Sequence, residues 1–180
     1  CWYWITYKIA DAIIVTSLRH QKRAEKYTKK KNVFILRNAV DLDIFRPLNY
    51  QRRENELIFV GRLEEQKNVR NLILALTLTK NKVNLKIAGR GSLFDELKKL
   101  VEDAKVAVEF LGNVSSQDLV EQYYNRSTIF ILPSLYEGHS NALTEAMACG
   151  IPVIVGDTIG NTEVVEHLVN GYVCGHTPTA

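Results

Sequence analysis

Short apolar runs alternate with stretches of helical period along most of this chain. After residue 55, strands are predicted at 57–60, 85–88, 107–111, 129–132 and 153–155, with an edge strand at 172–174. Helices are predicted between them, at 69–79, 93–103, 115–125, 141–150 and 163–168. Apolar strands that alternate with helices form β-α-β units. The pattern therefore predicts an α/β fold with a Rossmann-like parallel sheet and helices on both faces.

The first part of the chain repeats this pattern on a smaller scale. Strands are predicted at 11–16 and 32–36, with a helix over 17–27 between them, and the polar stretch 49–55 is typical of a hinge. We therefore predict that residues 1–48 are the end of a preceding domain with its linker. Residues 49–180 would form a second domain. The chain lacks an initial Met and begins inside an element, as expected for a piece of a longer protein.

Composition narrows the function classes only slightly. The chain has 180 residues, of which 46% are hydrophobic, and a net charge of +3 that is too weak to indicate a nucleic-acid partner. Basic residues concentrate between Lys22 and Lys31, which indicates a solvated helix face or, as the alternative, attraction to an anionic membrane surface. Three cysteines without metal-ligand spacing favour a reducing compartment. No signal peptide or transmembrane run is predicted, so we expect a cytoplasmic protein that is either free in solution or peripheral on the inner face of the membrane.

Glycine and polar residues follow several of the predicted strands. They stand at 61–62, 89–91 and 112–114, and at Ser134. In a parallel sheet, ligands bind outside the carboxyl ends of the strands. These exits are therefore expected to form one binding edge, together with Glu137.

The segment from Glu137 to Glu145 combines two carboxylates with a predicted helix start. Glu137 would lie at the mouth of the loop, and the backbone N–H groups of 138–141 would favour an anion. Glu145 would follow about two helical turns further along. A ligand with hydroxyl groups at both ends and phosphate in the middle suits this arrangement, and a nucleotide sugar is such a ligand.

Other candidate residues have to be weighed against structural roles. Arg62 and Lys67 could hold a diphosphate, because both are cations on a loop at a strand exit. A hydrogen-bonding or electrostatic role is expected for His139 rather than that of a general base. Asp157 and Glu163 are expected to have structural roles. The segment 89–91 is half of a dinucleotide glycine fingerprint, but Phe94 occupies the position of the third glycine, which argues against a dehydrogenase.

With these residues the chain resembles the C-terminal, nucleotide-sugar-binding domain of retaining glycosyltransferases of the GT-B fold, the group known as glycosyltransferase family 4. Four segments carry the resemblance: Asn38-Ala39-Val40-Asp41 with Phe45 and Pro47; Val60-Gly61-Arg62-Leu63 with Lys67; Ile87 to Gly91; and Pro133-Ser134 through Glu137-Gly138 to Glu145 and on to Val153.

The resemblance implies a role for each matching residue. Glu137, Arg62 and Lys67 would be catalytic: the two cations would grip the diphosphate, and Glu137 would bind the transferred sugar. Glu145 would bind the ribose, the backbone of Val114 would meet the base, and the backbone amides of Leu143 and Thr144 would contact the phosphates. The full predicted donor-binding set is Gly61, Arg62, Lys67, Gly89, Arg90, Val114, Glu137, Gly138, His139, Ser140, Asn141, Leu143, Thr144 and Glu145. No cofactor or metal is expected, because cations and a helix N-terminus would stabilise the leaving diphosphate.

The implied function is transfer of a hexose from a UDP-sugar or GDP-sugar to a glycan or lipid-linked acceptor in polysaccharide or glycolipid assembly. The resemblance also implies that residues 1–48 are a remnant of the N-terminal acceptor domain with its linker, and that residues 49–180 are the donor-binding domain, truncated at its C-terminus. The acceptor would bind through the missing N-terminal domain, so this chain alone is expected to be inactive. His139 and the segment 159–163 depart from the family pattern. Two alternatives stay open: a nucleotide-sugar binding module without turnover, and a nucleotide-sugar epimerase, which the predicted cation pair and Glu137–Glu145 turn disfavour.

Overall fold

A computed structural model describes residues 2–28 and 32–179. Cys1 and the predicted basic run 29–31 lie outside the described residues. The strands are β1 (Ile13–Val15), β2 (Val33–Ile35), β3 (Glu56–Val60), β4 (Asn84–Ala88), β5 (Ala107–Gly112), β6 (Ile129–Leu132), β7 (Val153–Gly156) and β8 (Tyr172–Cys174). The helices are α1 (Trp2–Ile9), α2 (Leu18–Glu25), α3 (Val69–Leu76), α4 (Phe94–Ala104), α5 (Ser116–Asp118), α6 (Asn141–Ala148) and α7 (Ile159–Thr162). A 3-10 turn (Glu65–Lys67) precedes α3, and α5 continues as a π-helical turn (Leu119–Tyr124).

Six strands form one parallel sheet in the order β5-β4-β3-β6-β7-β8. The chain runs outward from β3 to β5, returns to pair β6 beside β3, and then runs outward in the other direction. This is the 3-2-1-4-5-6 order of dinucleotide-binding sheets, in which the reversal point opens a crevice. The predicted Rossmann-like α/β fold is confirmed, and the reversal point lies between β3 and β6.

The burial of the strand residues shows that the sheet is covered on both faces. In β3, Ile58 and Phe59 are adjacent, so their side chains point to opposite faces, and both are fully buried. Phe130 and Leu132 of β6 are fully buried as well, and Leu143 of α6 belongs to the same core. Such apolar strands are typical of parallel sheets between two helix layers. The buried residues set where each strand ends. They therefore also set the position of the sheet edge that carries the predicted site.

The N-terminal residues form a smaller unit beside this sheet. Strands β1 and β2 pair in parallel as a separate two-stranded sheet, and Val15, Ala24 and Val33 form its buried cluster. The connector that follows packs differently, because Phe45 belongs to the large core. Arg52, in the predicted hinge, donates to the backbone carbonyls of the larger unit at Tyr124, Ser127 and Gly150. The predicted domain boundary at 48/49 stays a prediction.

One helix prediction is wrong. The segment 163–168 contains turns and an isolated bridge, and the helical turn lies just before it, in α7. Thr158 is the reason for the earlier start, because its side chain accepts a hydrogen bond from the amide of Asn161 as an N-cap. Asn170 then holds the following turn, since its side chain accepts from the Glu166 amide and donates to the Val164 carbonyl.

No helix within 2–28 or 32–179 combines the length and the apolar character that crossing a membrane requires.

Candidate functional site

Five of the predicted donor-binding residues line one cleft at the exits of β3, β4 and β5. They are Gly61, Arg62, Gly89, Arg90 and Val114. The cleft has a volume of about 340 Å³, and its other lining residues are Val60, Ala88, Asn113 and Leu119. Residues far apart in sequence therefore meet there because their strands are neighbours in the sheet.

Glycine is required where the exits of β3 and β4 touch. The backbone of Gly89 has φ +134°, and a Cβ atom at this position would lie 1.9 Å from the carbonyl oxygen of Gly61. At Gly91 a Cβ atom would lie 2.2 Å from the carbonyl oxygen of Leu63. The amide of Leu63 donates to the carbonyl of Arg90 over 2.9 Å. This side of the cleft is consequently built from backbone in direct contact, which lets a ligand approach the main chain closely.

Lys67 and Glu137 form an ion pair across the reversal point of the sheet. The Lys67 Nζ lies 2.5 Å from Glu137 Oε1, and the side chains are 12% and 6% exposed. Asn68 fixes the turn that carries Lys67, because it adopts the left-handed conformation and its side chain donates to the carbonyls of Pro133 and His176. A buried cation and a buried carboxylate therefore stand together where the topology opens a crevice.

Two further hydrogen bonds tie the loop after β3 to the loop after β6. The amide of Leu135 donates to the carbonyl of Gln66 over 2.8 Å. The side-chain amide of Gln66 donates to the carbonyl of Tyr136, also over 2.8 Å. The position of Glu137 relative to Lys67 is thus set by four contacts between the loops: the ion pair, these two hydrogen bonds and the bond from Asn68 to Pro133.

Helix α6 begins beside this ion pair. Ser140 is its N-cap, and the Ser140 hydroxyl accepts from the amide of Leu143 over 3.4 Å. The amide of Thr144 donates to the Ser140 carbonyl over 3.2 Å, and the Thr144 hydroxyl donates to the Asn141 carbonyl. The amides predicted to meet phosphate, those of Leu143 and Thr144, are therefore engaged by Ser140. The amides of Asn141 and Ala142 come before any intrahelical hydrogen bond of α6.

Glu145 lies in the second turn of α6 and is half-buried. The hydroxyl of Tyr124, a fully buried residue, donates to its Oε2 over 3.3 Å. Burial raises the pKa of Glu145, and the Tyr124 hydrogen bond acts in the opposite direction. The pKa of Tyr124 is raised well above its usual value, first by burial and then by the charge of Glu145. Tyr124 thus stays a donor to one carboxylate oxygen and leaves the other available.

The loop between Glu137 and α6 contacts the N-terminal segment. A Cβ atom at Gly138 would lie 2.7 Å from the His20 ring, so α2 packs directly on this residue. The side chain of Asn38 donates to that of Asn141 over 2.7 Å. Burial, followed by the charge of Arg37, lowers the pKa of His139, and the backbone of Asn38 acts in the opposite direction.

The predicted residues thus fall into neighbouring groups along one edge. Glu145 and the Lys67–Glu137 pair are outside the residues that line the cleft of Arg62. Asn38 and Tyr124 are not among the predicted site residues. Asn38 could have been found, because it stands in a segment that carries the family resemblance, whereas Tyr124 reads as an ordinary core aromatic. Within the described ranges, no group of three or more His, Cys, Asp or Glu residues could hold a metal ion.

Comparison with known proteins agrees with this geometry. The family described as "Glycosyl transferases group 1" matches residues 40–179. An uncharacterized glycosyltransferase of Methanocaldococcus jannaschii is 31% identical over 94% of this chain and 48% of its own length. The sucrose-phosphate synthase of Thermosynechococcus elongatus has the same fold, with a TM-score of 0.86, 24% identity, and coverage of 96% of this chain and 47% of that one.

A second solved structure is nearer in sequence. It is the apo form of the lipopolysaccharide outer core galactosyltransferase WaaB, with a TM-score of 0.76, 27% identity, and coverage of 95% of this chain and 50% of that one. The chain spans about half the length of the curated relatives that match it along most of its own length. Assignment to glycosyltransferase family 4 in particular stays a prediction. The family match covers most of the chain, which therefore belongs to the group 1 glycosyl transferases.

Proposed function

We propose that this chain is the donor-binding part of a retaining glycosyltransferase. The whole protein would transfer a hexose from a nucleotide diphosphate sugar to a glycan or lipid-linked acceptor. The observation that carries the proposal is the buried Lys67–Glu137 pair at the sheet reversal, next to a cleft that exposes Arg62 and glycine backbone. A cation and a carboxylate in one crevice suit a ligand with a diphosphate on one side and sugar hydroxyls on the other.

The base, ribose, diphosphate and sugar of the donor would follow one another along the strand exits. Its base would enter the cleft beside Val114, and its ribose hydroxyls would donate to the free oxygen of Glu145. Arg62, Lys67 and the first amides of α6 would hold the diphosphate, because cations and a helix N-terminus both favour anions. The sugar would then reach Glu137 and the loop from Gly138 to Asn141. When the ligand binds between Lys67 and Glu137, Lys67 exchanges its contact with Glu137 for one with the diphosphate. Glu137 exchanges its contact with Lys67 for one with the sugar hydroxyls.

The chemical role of the cations follows from this placement. When the bond between the sugar and the diphosphate breaks, the diphosphate oxygen takes the electron pair and gains negative charge. Arg62 and Lys67 would stabilise that charge where it develops, in a site partly closed to water. We therefore propose that transfer proceeds without a divalent cation. Chelation with EDTA should leave transfer by the longer protein unchanged, and restoration of a lost activity by Mg²⁺ or Mn²⁺ would contradict this part of the proposal.

The names of two relatives, one with a GDP-sugar and one with a UDP-sugar, suggest the ligands for a binding test. One relative is a GDP-mannose-dependent mannosyltransferase of Mycobacterium tuberculosis, and another is a UDP-Gal galactosyltransferase of Escherichia coli. Calorimetric titration of UDP, UDP-glucose, UDP-N-acetylglucosamine, GDP and GDP-mannose against the chain should identify one preferred nucleotide. Binding by both this chain and a full-length parent, with transfer by the parent alone, is the expected result. Binding without turnover by the parent would favour a binding module instead.

Glu145 gives a direct test of the ribose contact. Glu145→Ala should weaken nucleotide binding by about 1–3 kcal/mol, because charge-assisted hydrogen bonds to the ribose are lost. Glu121→Ala is a suitable control, since this partly exposed carboxylate lies on the π-helical turn and lines a different groove. Equal nucleotide affinity of Glu145→Ala and the wild-type chain would remove Glu145 from the site.

Peripheral membrane contact is proposed for the longer protein. Arg19, Lys22, Arg23 and Lys26 are exposed on or next to α2, and such a basic face attracts anionic lipid. Sedimentation with vesicles containing phosphatidylglycerol, at low and at high salt, tests the contact. Equal sedimentation with neutral phosphatidylcholine vesicles would argue against it.

A further inference from the structure

Gly138, in the loop that carries Glu137, is enclosed from two sides. On one side, a Cβ atom at Gly138 would lie 2.7 Å from the His20 ring of α2. On the other side, a Cβ atom at Gly160 of α7 would lie 2.4 Å from the Glu137 carbonyl oxygen and 2.8 Å from that of Gly138. Neither contact leaves room for a side chain. The position of this loop is therefore set by where α2 and α7 stand.

Glu163 joins these two helices directly. It follows α7 as the C-cap residue, and its side chain is 8% exposed. Its two carboxylate oxygens lie 3.0 and 3.1 Å from the backbone nitrogen of Leu18, the first residue of α2. The first amides of a helix lack intrahelical partners, and the positive end of the helix dipole favours a carboxylate. Glu163 therefore supplies a capping contact from 145 residues away in sequence.

A cation completes the contact. The Arg37 Nη2 lies 3.4 Å from Glu163 Oε2, and Arg37 directly precedes Asn38, the residue that contacts Asn141 at the start of α6. The carboxylate thus holds α2 on one side and the segment after β2 on the other. Of these N-terminal segments, α2 touches the loop between Glu137 and α6, and the segment after β2 touches the first residue of α6.

We propose that Glu163 is a positioning residue for the sugar-binding loop 137–139. By capping α2 and pairing with Arg37, its carboxylate keeps α2 and α7 at the separation that encloses Gly138, and so keeps Glu137 where a donor sugar can reach it. The inference rests on the proposed function, because it assigns Glu137 to the sugar. It extends that function, because Glu163 would touch neither the nucleotide nor the sugar.

A positioning role and a general structural role predict different binding data. The base and the ribose would contact the cleft beside Arg62 and the carboxylate of Glu145. Neither depends on α2, because the cleft is built from the exits of β3, β4 and β5 and Glu145 is held by Tyr124. Loss of the Glu163 contact should therefore weaken the sugar contribution to binding and spare the nucleotide contribution. A variant that merely loosens the fold would weaken both.

The test compares the affinity of a nucleotide diphosphate with that of its sugar form, by calorimetry on the wild-type chain and on Glu163→Gln. The ligand pairs are UDP with UDP-glucose and GDP with GDP-mannose, and the pair that the wild-type chain binds is used. Glu163→Gln should lower the sugar-to-nucleotide affinity ratio by about three- to tenfold, since charged hydrogen bonds at a helix end become neutral ones. The affinity for the nucleotide alone should change by less than about twofold, because its base, ribose and Arg62 contacts lie outside the loop 137–139.

Glu166→Gln is the matched control, because it makes the same change three residues further on, at an exposed position. His20→Ala is a second variant on an exposed residue, and it should reproduce the lowered ratio by removing the ring from Gly138. An unchanged ratio in both Glu163→Gln and His20→Ala, or an equal loss for both ligands, would overturn the inference. A wild-type chain that binds no nucleotide would instead count against the proposed function itself.

Discussion

The edge that carries the strand exits is built differently on the two sides of the β3–β6 boundary. On the side of β3, β4 and β5, backbone touches backbone, as at Gly89 and Gly61, and the cleft is lined largely by glycine and small apolar groups. On the side of β6 and α6, the positions of Glu137 and Asn141 depend on polar partners far away in sequence. Glu137 depends on Lys67, and Asn141 depends on Asn38.

This difference indicates how the two parts of a donor would be recognised. A backbone surface fixed by a sheet is preformed and presents much the same shape whatever the neighbouring side chains are. A surface assembled from side chains changes whenever one distant partner changes. We infer that the nucleotide part of the site is the more robust half and the sugar part the more adjustable one.

The largest effect is expected where backbone meets backbone. Gly89→Ala should lower the free energy of unfolding by about 3 kcal/mol or more, because the side chain combines a strained φ with an overlap on the Gly61 carbonyl. Nucleotide binding should be lost as well. Urea unfolding and UDP or GDP titration measure both quantities.

Gly61→Ala is the control for this substitution. There the nearest atom to a Cβ would be the Phe59 ring, at 3.1 Å, and a ring edge can shift. A loss of less than about 1.5 kcal/mol is expected. Comparable losses for the two variants would mean that the contact between the strand exits is not the rigid feature described above.

The next largest effect is expected at the buried ion pair. Lys67→Met should cost about 2–3 kcal/mol in the free energy of unfolding, because it leaves Glu137 as an uncompensated buried carboxylate. Lys86→Met makes the same change in the more exposed Lys86–Glu109 pair and should cost less than about 1 kcal/mol. Chemical denaturation of the two variants side by side gives the comparison. If Lys67→Met proved as mild as Lys86→Met, the pair would not be the anchor between the two loops.

The side of the edge made of backbone could be predicted from sequence. Alternating apolar runs fix the strands, and glycine after a strand marks an exit, so the meeting of Gly61, Gly89 and Val114 followed from topology alone. The bond from Tyr124 to Glu145 could not be predicted in this way. A buried tyrosine in an apolar run carries no sign of the acceptor that its hydroxyl will find.

The side assembled from polar contacts was harder to predict for a related reason. Glu163 was expected to have a structural role, but its partner lies at Leu18, and no periodic pattern links residues that far apart. The wrong helix at 163–168 has a local cause. The N-cap at Thr158 starts the helix earlier, and Gly160 and Asn161 in α7 are poor helix formers by propensity.

A smaller effect, dependent on pH, is expected for Tyr124→Phe. The hydroxyl favours the charged form of Glu145, so its removal should raise the pKa of Glu145 further above the ordinary value. If nucleotide binding needs the carboxylate, affinity should decline on the acid side, beginning at a higher pH in the variant. The loss in unfolding free energy, about 1 kcal/mol near neutral pH, should shrink as the pH falls through the pKa of Glu145, because the protonated carboxyl needs the donor less.

Other groups near Glu145 do not disturb this measurement. Burial raises the pKa of Cys149 to about 11, and the pKa of Tyr124 itself is raised well above its usual value, so both stay neutral in the acid range. Tyr123→Phe is the control, because it removes a hydroxyl from the neighbouring residue. Identical pH profiles for Tyr124→Phe and the wild-type chain would show that the hydrogen bond does not tune Glu145.

The smallest effect is expected at the start of α6, where backbone amides and a side-chain hydroxyl lie together. The Ser140 hydroxyl occupies the amide of Leu143 over a long 3.4 Å hydrogen bond, although that amide is a predicted phosphate contact. Ser140→Ala should cost about 0.5–1 kcal/mol in unfolding free energy as a lost N-cap, as should Ser115→Ala at the equivalent position of α5. Affinity for UDP or GDP should not fall in Ser140→Ala, because the change frees an amide for the diphosphate. A clear loss of nucleotide affinity in Ser140→Ala, with no loss in Ser115→Ala, would mean that the Ser140 hydroxyl itself binds the phosphate. The start of α6 would then contact the nucleotide through a side chain as well as through backbone amides.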